Sequence, residues 1–429
     1  MAFVPKYLLI LGFTIVIDYI AGIRIERAHG FHRRLWLISS LVANISILAV
    51  FKYFNFFVSN ANAALAFAGM PSSLPFLTML LPIGLSFHTF QAMSYTIEVY
   101  YGRQKAERHF GIYSLYVMFY PQLVAGPIER PQNVLPQFHE QHRFDWEQVK
   151  SGLMQMAFGL FKKVVIADRL AMVVDGAYNH VGTQNSTTLL IATIFYAFQI
   201  YCDFSGYSDI GIGAARVMGF DLMKNFDQPY TARSIGEFWR RWHISLSTWF
   251  RDYLYIPLGG NRVKYSRRLA NVLLVFLVSG FWHGASWNFI IWGGLHGVYQ
   301  IVAQLWNRTF PARENIERTW YKHAWDVLIT FALVDFAWIF FRASGGRDAL
   351  LVIKKLLLQR SYGTPSLALN GNEVLVCVAL IVLLLCKERY YFTIPTTKNW
   401  RFATVITLLA SSCYLLGVFD HSQFIYFQF

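Results

Sequence analysis

Charged residues are scarce in this sequence, and that scarcity limits the class of protein. Only 14% of the 429 residues are charged, while 55% are hydrophobic; soluble domains carry about a quarter charged residues. Apolar stretches recur along the whole chain, and each is near the roughly 17 to 25 residues that cross a bilayer as a helix. Alternating strand patterns are not evident, so the sequence predicts an all-α, polytopic membrane protein.

Cysteine is also scarce, and acidic residues are fewer than basic ones. The four cysteines lie singly in apolar runs without metal-ligand spacing, which argues against a disulfide framework or a metal site. The 38 Lys and Arg exceed the 24 Asp and Glu, giving a net charge of +14. These cations are spread through short loops, a pattern that favours membrane topology over nucleic-acid binding.

The apolar stretches predict roughly nine to eleven transmembrane helices in one membrane domain, residues 1–429. Arginines follow the first stretch, so we expect a retained helix there and no cleavable signal peptide. Charge-poor loops at 53–97 and 176–188 are expected outside, and cationic loops at 24–34, 103–108, 216–241 and 262–268 inside. The candidate spans are 7–23, 35–58, 74–100, 111–128, 152–174, 189–214, 244–258, 268–304 (long enough for two), 325–341, 372–386 and 402–419.

Proline and glycine interrupt several of these stretches. They occur in "LPIGLSF" (81–87), "AGPIERP" (125–131), "FSGYSDIGIG" (204–213) and "IPLGGNR" (256–262). Broken helices at membrane depth are tolerated only where protein or a cavity satisfies the freed backbone groups. The interruptions therefore predict re-entrant pieces around an internal space.

Ionisable side chains within apolar runs are costly and usually face a protein interior or a cavity. We interpret Asp18 and His88 as helix-packing residues. Asp203 and Asp209 are six residues apart and do not share one face of a regular helix. The small residues between them suggest a break, which would let both carboxylates approach one cavity; a structural role is the alternative.

The segment "EFWRRWHISLSTWFRDY" (237–253) combines tryptophans with Arg240, Arg241 and Arg251. One interpretation is an interfacial anchor, with rings at headgroup level and guanidinium groups reaching water. The other is a cationic rim for a phosphate-bearing ligand, with His243 as a nearby imidazole.

His283 lies in "GFWHGASWNF" (280–289), within a run from residue 269 to 304 that has no charged residue. From residue type alone it is either a satisfied core histidine or a general base, a role that suits a buried neutral imidazole. His296 lies 13 residues later, on a different face if the helix continues, so we do not pair it with His283.

The segments 237–262 and 280–297 closely resemble the membrane-bound O-acyltransferase family, in its bacterial branch that includes the alginate O-acetylation protein. The resemblance extends to 51–57, 81–100, 119–131, 201–213 and the final "FIYFQF", with a motif core at about 81–300. It implies many helices around a central tunnel and the transfer of an acyl group from a thioester to a hydroxyl. Relatives in this branch usually begin with further hydrophobic sequence, so this chain is expected to start late.

The resemblance implies that His283 matches the family's catalytic histidine and His243 its second polar position. It also implies an acetyl group, acetyl-CoA as a donor substrate without a bound cofactor, and a bacterial inner-membrane location. The final acceptor is expected to be an extracytoplasmic polysaccharide, reached through an extracytoplasmic partner protein. D-alanyl transfer from a carrier protein to teichoic acid ranks second, and peptidoglycan or cellulose acetylation is a further possibility. A transporter, a channel or a non-catalytic scaffold ranks lower.

Further substrate-binding candidates flank the two histidines. A tetrahedral oxyanion needs preplaced donors, for which Trp282, Ser286 and Asn288 are candidates. Asp203 and Asp209 are also substrate-binding candidates, because both carboxylates could face the cavity. Several cations near the histidines would attract the phosphates of CoA; the alternative is that they only reflect membrane topology. They are Arg240, Arg241, Arg262, Lys264, Arg267 and Arg268.

Overall fold

A computed structural model describes residues 7–71, 74–78, 82, 84–123, 126–310, 319–390 and 398–419. Every regular element among these residues is a helix, which confirms the all-α prediction. The chain forms two compact units, Met1–Gly152 with Gly211–Met223 and Leu153–Ile210 with Lys224–Phe429. The predicted single membrane domain stays a prediction.

The first unit buries a small polar network between its opening helices. Asp18 accepts hydrogen bonds from Ser40 Oγ at 2.6 Å and from Asn44 Nδ2 at 2.9 Å, while His88 contacts Thr14 Oγ1 at 3.2 Å. Asp18 and His88 are therefore helix-packing residues, as the sequence indicates. The helices of this unit are α1 (Tyr7–Arg27), α2 (Gly30–Leu48), α3 (Phe54–Phe67), α4 (Leu85–Tyr101), α5 (Phe110–Met118), α6 (Tyr120–Leu123) and α7 (Pro131–Gln137), with a π-helical segment Ala49–Tyr53 between α2 and α3.

The later helices belong to the second unit, except that α8 begins and α10 ends within the first. Three π-helical segments, Lys162–Ala167, Arg251–Tyr255 and Lys355–Gln359, continue α8, α12 and α16. The helices are α8 (Trp146–Phe161), α9 (Asp168–Tyr178), α10 (Ser186–Val217), α11 (Ile235–Arg241), α12 (Ile244–Phe250), α13 (Tyr265–His283), α14 (Trp287–Thr309), α15 (Trp320–Arg342), α16 (Gly346–Lys354), α17 (Gly371–Arg389) and α18 (Asn399–Leu416).

Four helical stretches in the described part of the chain are long and apolar enough to cross a bilayer. They are Leu8–Arg27, Gly30–Phe67, Ser186–Val217 and Trp320–Arg342. Large apolar side chains also lie exposed on α17 and α18, including Leu383 and Leu415, where lipid suits them better than water. The chain is a multi-pass membrane protein; the total of nine to eleven spans stays a prediction.

Three of the four predicted interruptions are present in the residues described. Gly84 has a left-handed backbone and precedes α4, residues 126–130 separate α6 from α7, and Gly259 and Gly260 both have positive φ after the π-helical Arg251–Tyr255. The long stretch 268–304 divides into α13 and α14, as its length indicates. The final "FIYFQF" lies outside the described residues.

The fourth prediction, a break between Asp203 and Asp209, is wrong. Helix α10 runs without interruption for 32 residues. Its Gly206 serves close packing instead, because a Cβ there would lie 2.7 Å from the carbonyl oxygen of Gly159 on α8. Small residues let helix backbones approach in this way, and sequence alone does not distinguish this use of glycine from a break.

Candidate active site

The two histidines that the sequence singles out lie side by side in the second unit. The ring centroids of His243 and His283 are 6.4 Å apart, and both side chains are buried. Forty residues separate them in the chain, and the end of α13 brings His283 to the short turn that precedes α12. The two imidazoles are therefore close enough to act on one reacting molecule.

A strained turn presents His243. It has a left-handed backbone, φ 44° and ψ 55°, immediately before α12, a conformation that costs about 1–3 kcal/mol for a residue other than glycine. Its own side chain does not cap the helix. Asn225 caps α12 instead. Its Oδ1 accepts from the Ser245 N–H at 3.3 Å, and its backbone oxygen accepts from the Ile244 N–H at 2.9 Å.

The same Asn225 oxygen fixes the tautomer of His243. Oδ1 is 3.1 Å from His243 Nδ1 and also accepts from Ser245 Oγ at 2.9 Å, while Asn225 Nδ2 donates to Ser208 Oγ at 3.1 Å. The Ser245 N–H is an unambiguous donor, so the amide atom facing His243 is the oxygen. In neutral imidazole Nδ1 must then carry the proton, which leaves a lone pair on Nε2.

Aromatic rings enclose His283. Its ring lies 4.9 Å from Trp292, 5.0 Å from Trp282 and 5.5 Å from Phe341, all in edge-to-face orientation. Trp282 also lies 6.4 Å from His243, so it adjoins both imidazoles. These rings exclude water around His283, and a dry site strengthens electrostatic interactions with a reacting group.

A cavity of about 440 Å³ lies next to this pair and is bounded by α11 to α14 and the π-helical Arg251–Tyr255. Its lining includes Ile244, which follows His243, and Ser279, one turn before His283 on α13. Two cations, Arg240 and Arg251, line it as well, and otherwise it is mainly apolar. An apolar cavity with a few placed polar groups is typical of a small-molecule site.

The two predicted substrate-binding arginines, Arg240 and Arg241, differ in their surroundings. Arg240 is exposed and lines the cavity, as expected of a ligand-binding cation. Arg241 is not among the residues that line the cavity. Its guanidinium pairs with Glu237 at 2.6 Å and donates to Thr231 Oγ1 at 2.8 Å, and these contacts hold the turn before α11 in place. These contacts give Arg241 a structural role, and its role in substrate binding stays a prediction.

Two of the three oxyanion candidates also have structural partners. Ser286 caps α14 by accepting from the Asn288 N–H at 3.3 Å, and Asn288 Nδ2 donates to the Ala343 carbonyl at 3.0 Å. Both side chains thus hold helix ends in place, because the break between α13 and α14 leaves backbone groups that need partners. Trp282 is the candidate of the three that adjoins both imidazoles.

Asp203 and Asp209 form ion pairs with consecutive lysines, and Asp203 is buried whereas Asp209 is partly exposed. Lys163 Nζ lies 2.7 Å from Asp203 and 2.6 Å from Asp168, and Lys162 Nζ lies 2.6 Å from Asp209. These lysines are on the π-helical segment that follows α8. The carboxylates that were expected to face a substrate cavity are paired with these lysines within the helix packing.

His296 does not join the histidine pair. Helix α13 ends at His283 and α14 begins at Trp287, so the continuous helix assumed in the sequence argument is absent. The Trp292 ring lies 4.9 Å from His283 and 5.1 Å from His296. His296 Nδ1 accepts from the Trp239 indole N–H at 3.3 Å.

The model of the MBOAT, membrane-bound O-acyltransferase family matches residues 109–345, a range that includes both histidines. The chain belongs to the membrane-bound O-acyltransferase family. It is therefore an acyltransferase enzyme. The roles that the resemblance implies for His283 and His243 stay predictions.

Relatives within this family differ in the acceptor that their names give. The chain is 36% identical to the peptidoglycan O-acetyltransferase of Helicobacter pylori, over 99% of this chain and 88% of that protein. It is 38% identical to the probable alginate O-acetylase AlgI of Pseudomonas aeruginosa, over 91% of this chain and 74% of that protein. A teichoic acid D-alanyltransferase of Streptococcus thermophilus is 31% identical over 53% of this chain and 57% of its own length.

Asn225 and Trp292 are the site residues that the sequence argument missed. Asn225 lies in a loop between α10 and α11, 18 residues before the histidine that it contacts. Trp292 is one of several tryptophans in an apolar run, where a core role is the ordinary expectation. The proximity of each to a histidine depends on helix packing, for which a single sequence carries no local signal.

Proposed function

We propose that this protein transfers acetyl groups from acetyl-CoA to hydroxyls of an extracytoplasmic polysaccharide. It acts in the bacterial inner membrane, and an extracytoplasmic partner protein completes the transfer to the polymer. The observation that carries the proposal is the buried pair His243 and His283 beside a cavity lined by Arg240. The relatives named for O-acetylation align with most of this chain, which favours acetyl over other acyl groups.

In the proposed reaction His283 is the general base. The acceptor oxygen attacks the thioester carbonyl carbon while its proton passes to the His283 imidazole. The carbonyl π electrons move to oxygen and form a tetrahedral oxyanion. When the carbonyl re-forms, the carbon–sulfur bond breaks, and the leaving thiolate takes the proton from the imidazolium.

His243, the second imidazole of the pair, assists the proton transfer to His283. With Nδ1 held by Asn225, its Nε2 lone pair accepts a hydrogen bond from the acceptor hydroxyl or shares the transferred proton. This orients the acceptor before attack. A general-base contribution of this kind is typically worth about 10²- to 10⁴-fold in rate.

In this proposal the cavity receives the donor from the side that the loop charges predict to be cytoplasmic. The pantetheine arm of CoA is long and mostly uncharged, which suits the apolar lining, while its phosphates suit Arg240 and Arg251 at the cavity wall. Arg262, Lys264, Arg267 and Arg268 lie nearby in sequence and add positive charge that concentrates an anionic donor.

The donor and acceptor are tested together in membranes that contain this chain. Membranes are supplied with [14C]acetyl-CoA or with a D-alanyl carrier-protein thioester, and label is followed into peptidoglycan, exopolysaccharide and teichoic acid fractions. We expect label from acetyl-CoA in a glycan fraction, and none in membranes carrying His283→Ala. Label only from the D-alanyl thioester would replace this proposal with D-alanyl transfer.

A further inference from the structure

A buried tryptophan beside His283 has a hydrogen-bond donor with no acceptor among the described residues. The Trp292 side chain is fully buried, and within the described chain its indole N–H has no hydrogen-bond partner. Buried tryptophan N–H groups usually find a partner, because an unsatisfied donor costs about 1–3 kcal/mol. A position that retains such a donor next to a catalytic group indicates an acceptor supplied by a ligand.

The neighbouring tryptophan shows the usual arrangement. Trp338 stacks on Trp292 with ring centroids 5.6 Å apart and an interplanar angle of 18°. Its indole N–H donates to the Tyr230 hydroxyl at 3.2 Å. Among the described residues, the N–H of Trp338 thus has an acceptor and the N–H of the stacked Trp292 has none.

Close helix packing fixes Trp292 against His283. The two rings are 4.9 Å apart at 87°. The next residue, Gly293, lies so near α13 that a Cβ there would be 2.2 Å from the Phe276 carbonyl oxygen, and Gly280 is as close to the Phe289 carbonyl. The indole is thus held in place before the reaction, as an electrostatic catalyst requires.

We propose that the Trp292 indole N–H donates a hydrogen bond to the oxyanion of the tetrahedral intermediate. The inference rests on the proposed function and adds a catalytic residue to it. As the acceptor oxygen bonds to the thioester carbon, the carbonyl oxygen gains the π electron pair, and Trp292 stabilises that charge. When the carbonyl re-forms and the carbon–sulfur bond breaks, the hydrogen bond weakens again. Removing one such donor lowers kcat by about 10²- to 10³-fold.

The test compares Trp292→Phe with Trp338→Phe in purified enzyme with acetyl-CoA and an acceptor. Each variant replaces one indole of the same buried stack with a smaller phenyl ring, so both are expected to have a lower melting temperature than the wild type. Only Trp292→Phe is expected to lose kcat by about 10²- to 10³-fold with little change in the KM for the donor. S-ethyl-CoA, which lacks the carbonyl, is expected to bind Trp292→Phe as it binds the wild type.

The outcomes separate this inference from the proposed function. A Trp292→Phe enzyme with the kcat of the wild type or of Trp338→Phe overturns the oxyanion role. The proposed function stands in that case if His283→Ala is inactive in the same assay. An active His283→Ala enzyme overturns the proposed function itself, whatever Trp292→Phe does.

Discussion

Asn225 offers a specific test of how the histidine pair works. The change is Asn225→Ala, which removes the oxygen that receives His243 Nδ1, the Ser245 N–H and Ser245 Oγ at 3.1, 3.3 and 2.9 Å. The imidazole then has no acceptor that holds its proton on Nδ1, so it also populates the tautomer that carries the proton on Nε2. In that tautomer it loses the lone pair that the proposed reaction uses, so the variant is expected to lose proton-transfer assistance worth about 10²- to 10⁴-fold in kcat.

The same change has a calculable structural cost. The Ser245 N–H loses its acceptor at the start of α12, and a buried unsatisfied donor costs about 1–3 kcal/mol. Ser245→Ala is the matched control, because it removes one hydrogen bond to the same oxygen, worth about 1 kcal/mol, and leaves the contact to His243. Asn225→Asp keeps an acceptor for both groups and is expected to recover most of the lost kcat.

The assay is steady-state acetyl transfer with thermal unfolding measured on the same preparations. We expect Asn225→Ala to lose kcat far beyond its loss of stability, whereas Ser245→Ala loses stability with nearly normal kcat. The carboxylate of Asn225→Asp stabilises the imidazolium, so the acid limb of its pH–rate profile is expected at higher pH than in the wild type. Wild-type kcat in folded Asn225→Ala would refute the tautomer argument.

Other predictions concern the helix packing and the cavity. Lys163→Met leaves its buried carboxylate partners uncompensated, so we expect the free energy of unfolding to fall by about 3–5 kcal/mol in a denaturation measurement. Gly280→Ala places a Cβ 2.2 Å from a backbone oxygen, and its melting temperature should fall well below that of Gly345→Ala, where nothing lies within 4 Å; equal melting temperatures would contradict the packing argument. Arg240→Gln is expected to raise the KM for acetyl-CoA at low salt, whereas Arg241→Gln mainly lowers stability; an unchanged KM in Arg240→Gln would remove the donor-binding role.

The two histidines could be predicted from the sequence because each lies in a long motif that resembles one family. Their 6.4 Å separation could not, since it depends on how α13 packs against the turn before α12. Asn225 was missed for the same reason, as a loop amide has no pattern that reveals its partner.

Other features could not be predicted because one residue type has two structural uses. Glycine marks both a helix break and a close helix contact, and Gly206 proved to be the second because Gly159 faces it. The sequence does not reveal that Asp203 pairs with Lys163, because Lys163 lies 40 residues earlier, in a different apolar run. Ser286 is an oxyanion candidate from its sequence position, and the structure shows that it also caps α14.

The most direct test of the central claim is the rate of acetyl transfer by His283→Ala in proteoliposomes, with acetyl-CoA outside and acceptor present. His88→Ala, which removes a buried histidine that contacts Thr14 in the first unit, is the matched control. The account predicts that His283→Ala folds and inserts but transfers no acetyl above background, while His88→Ala retains transfer. A folded His283→Ala enzyme that acetylates at the wild-type rate would contradict it.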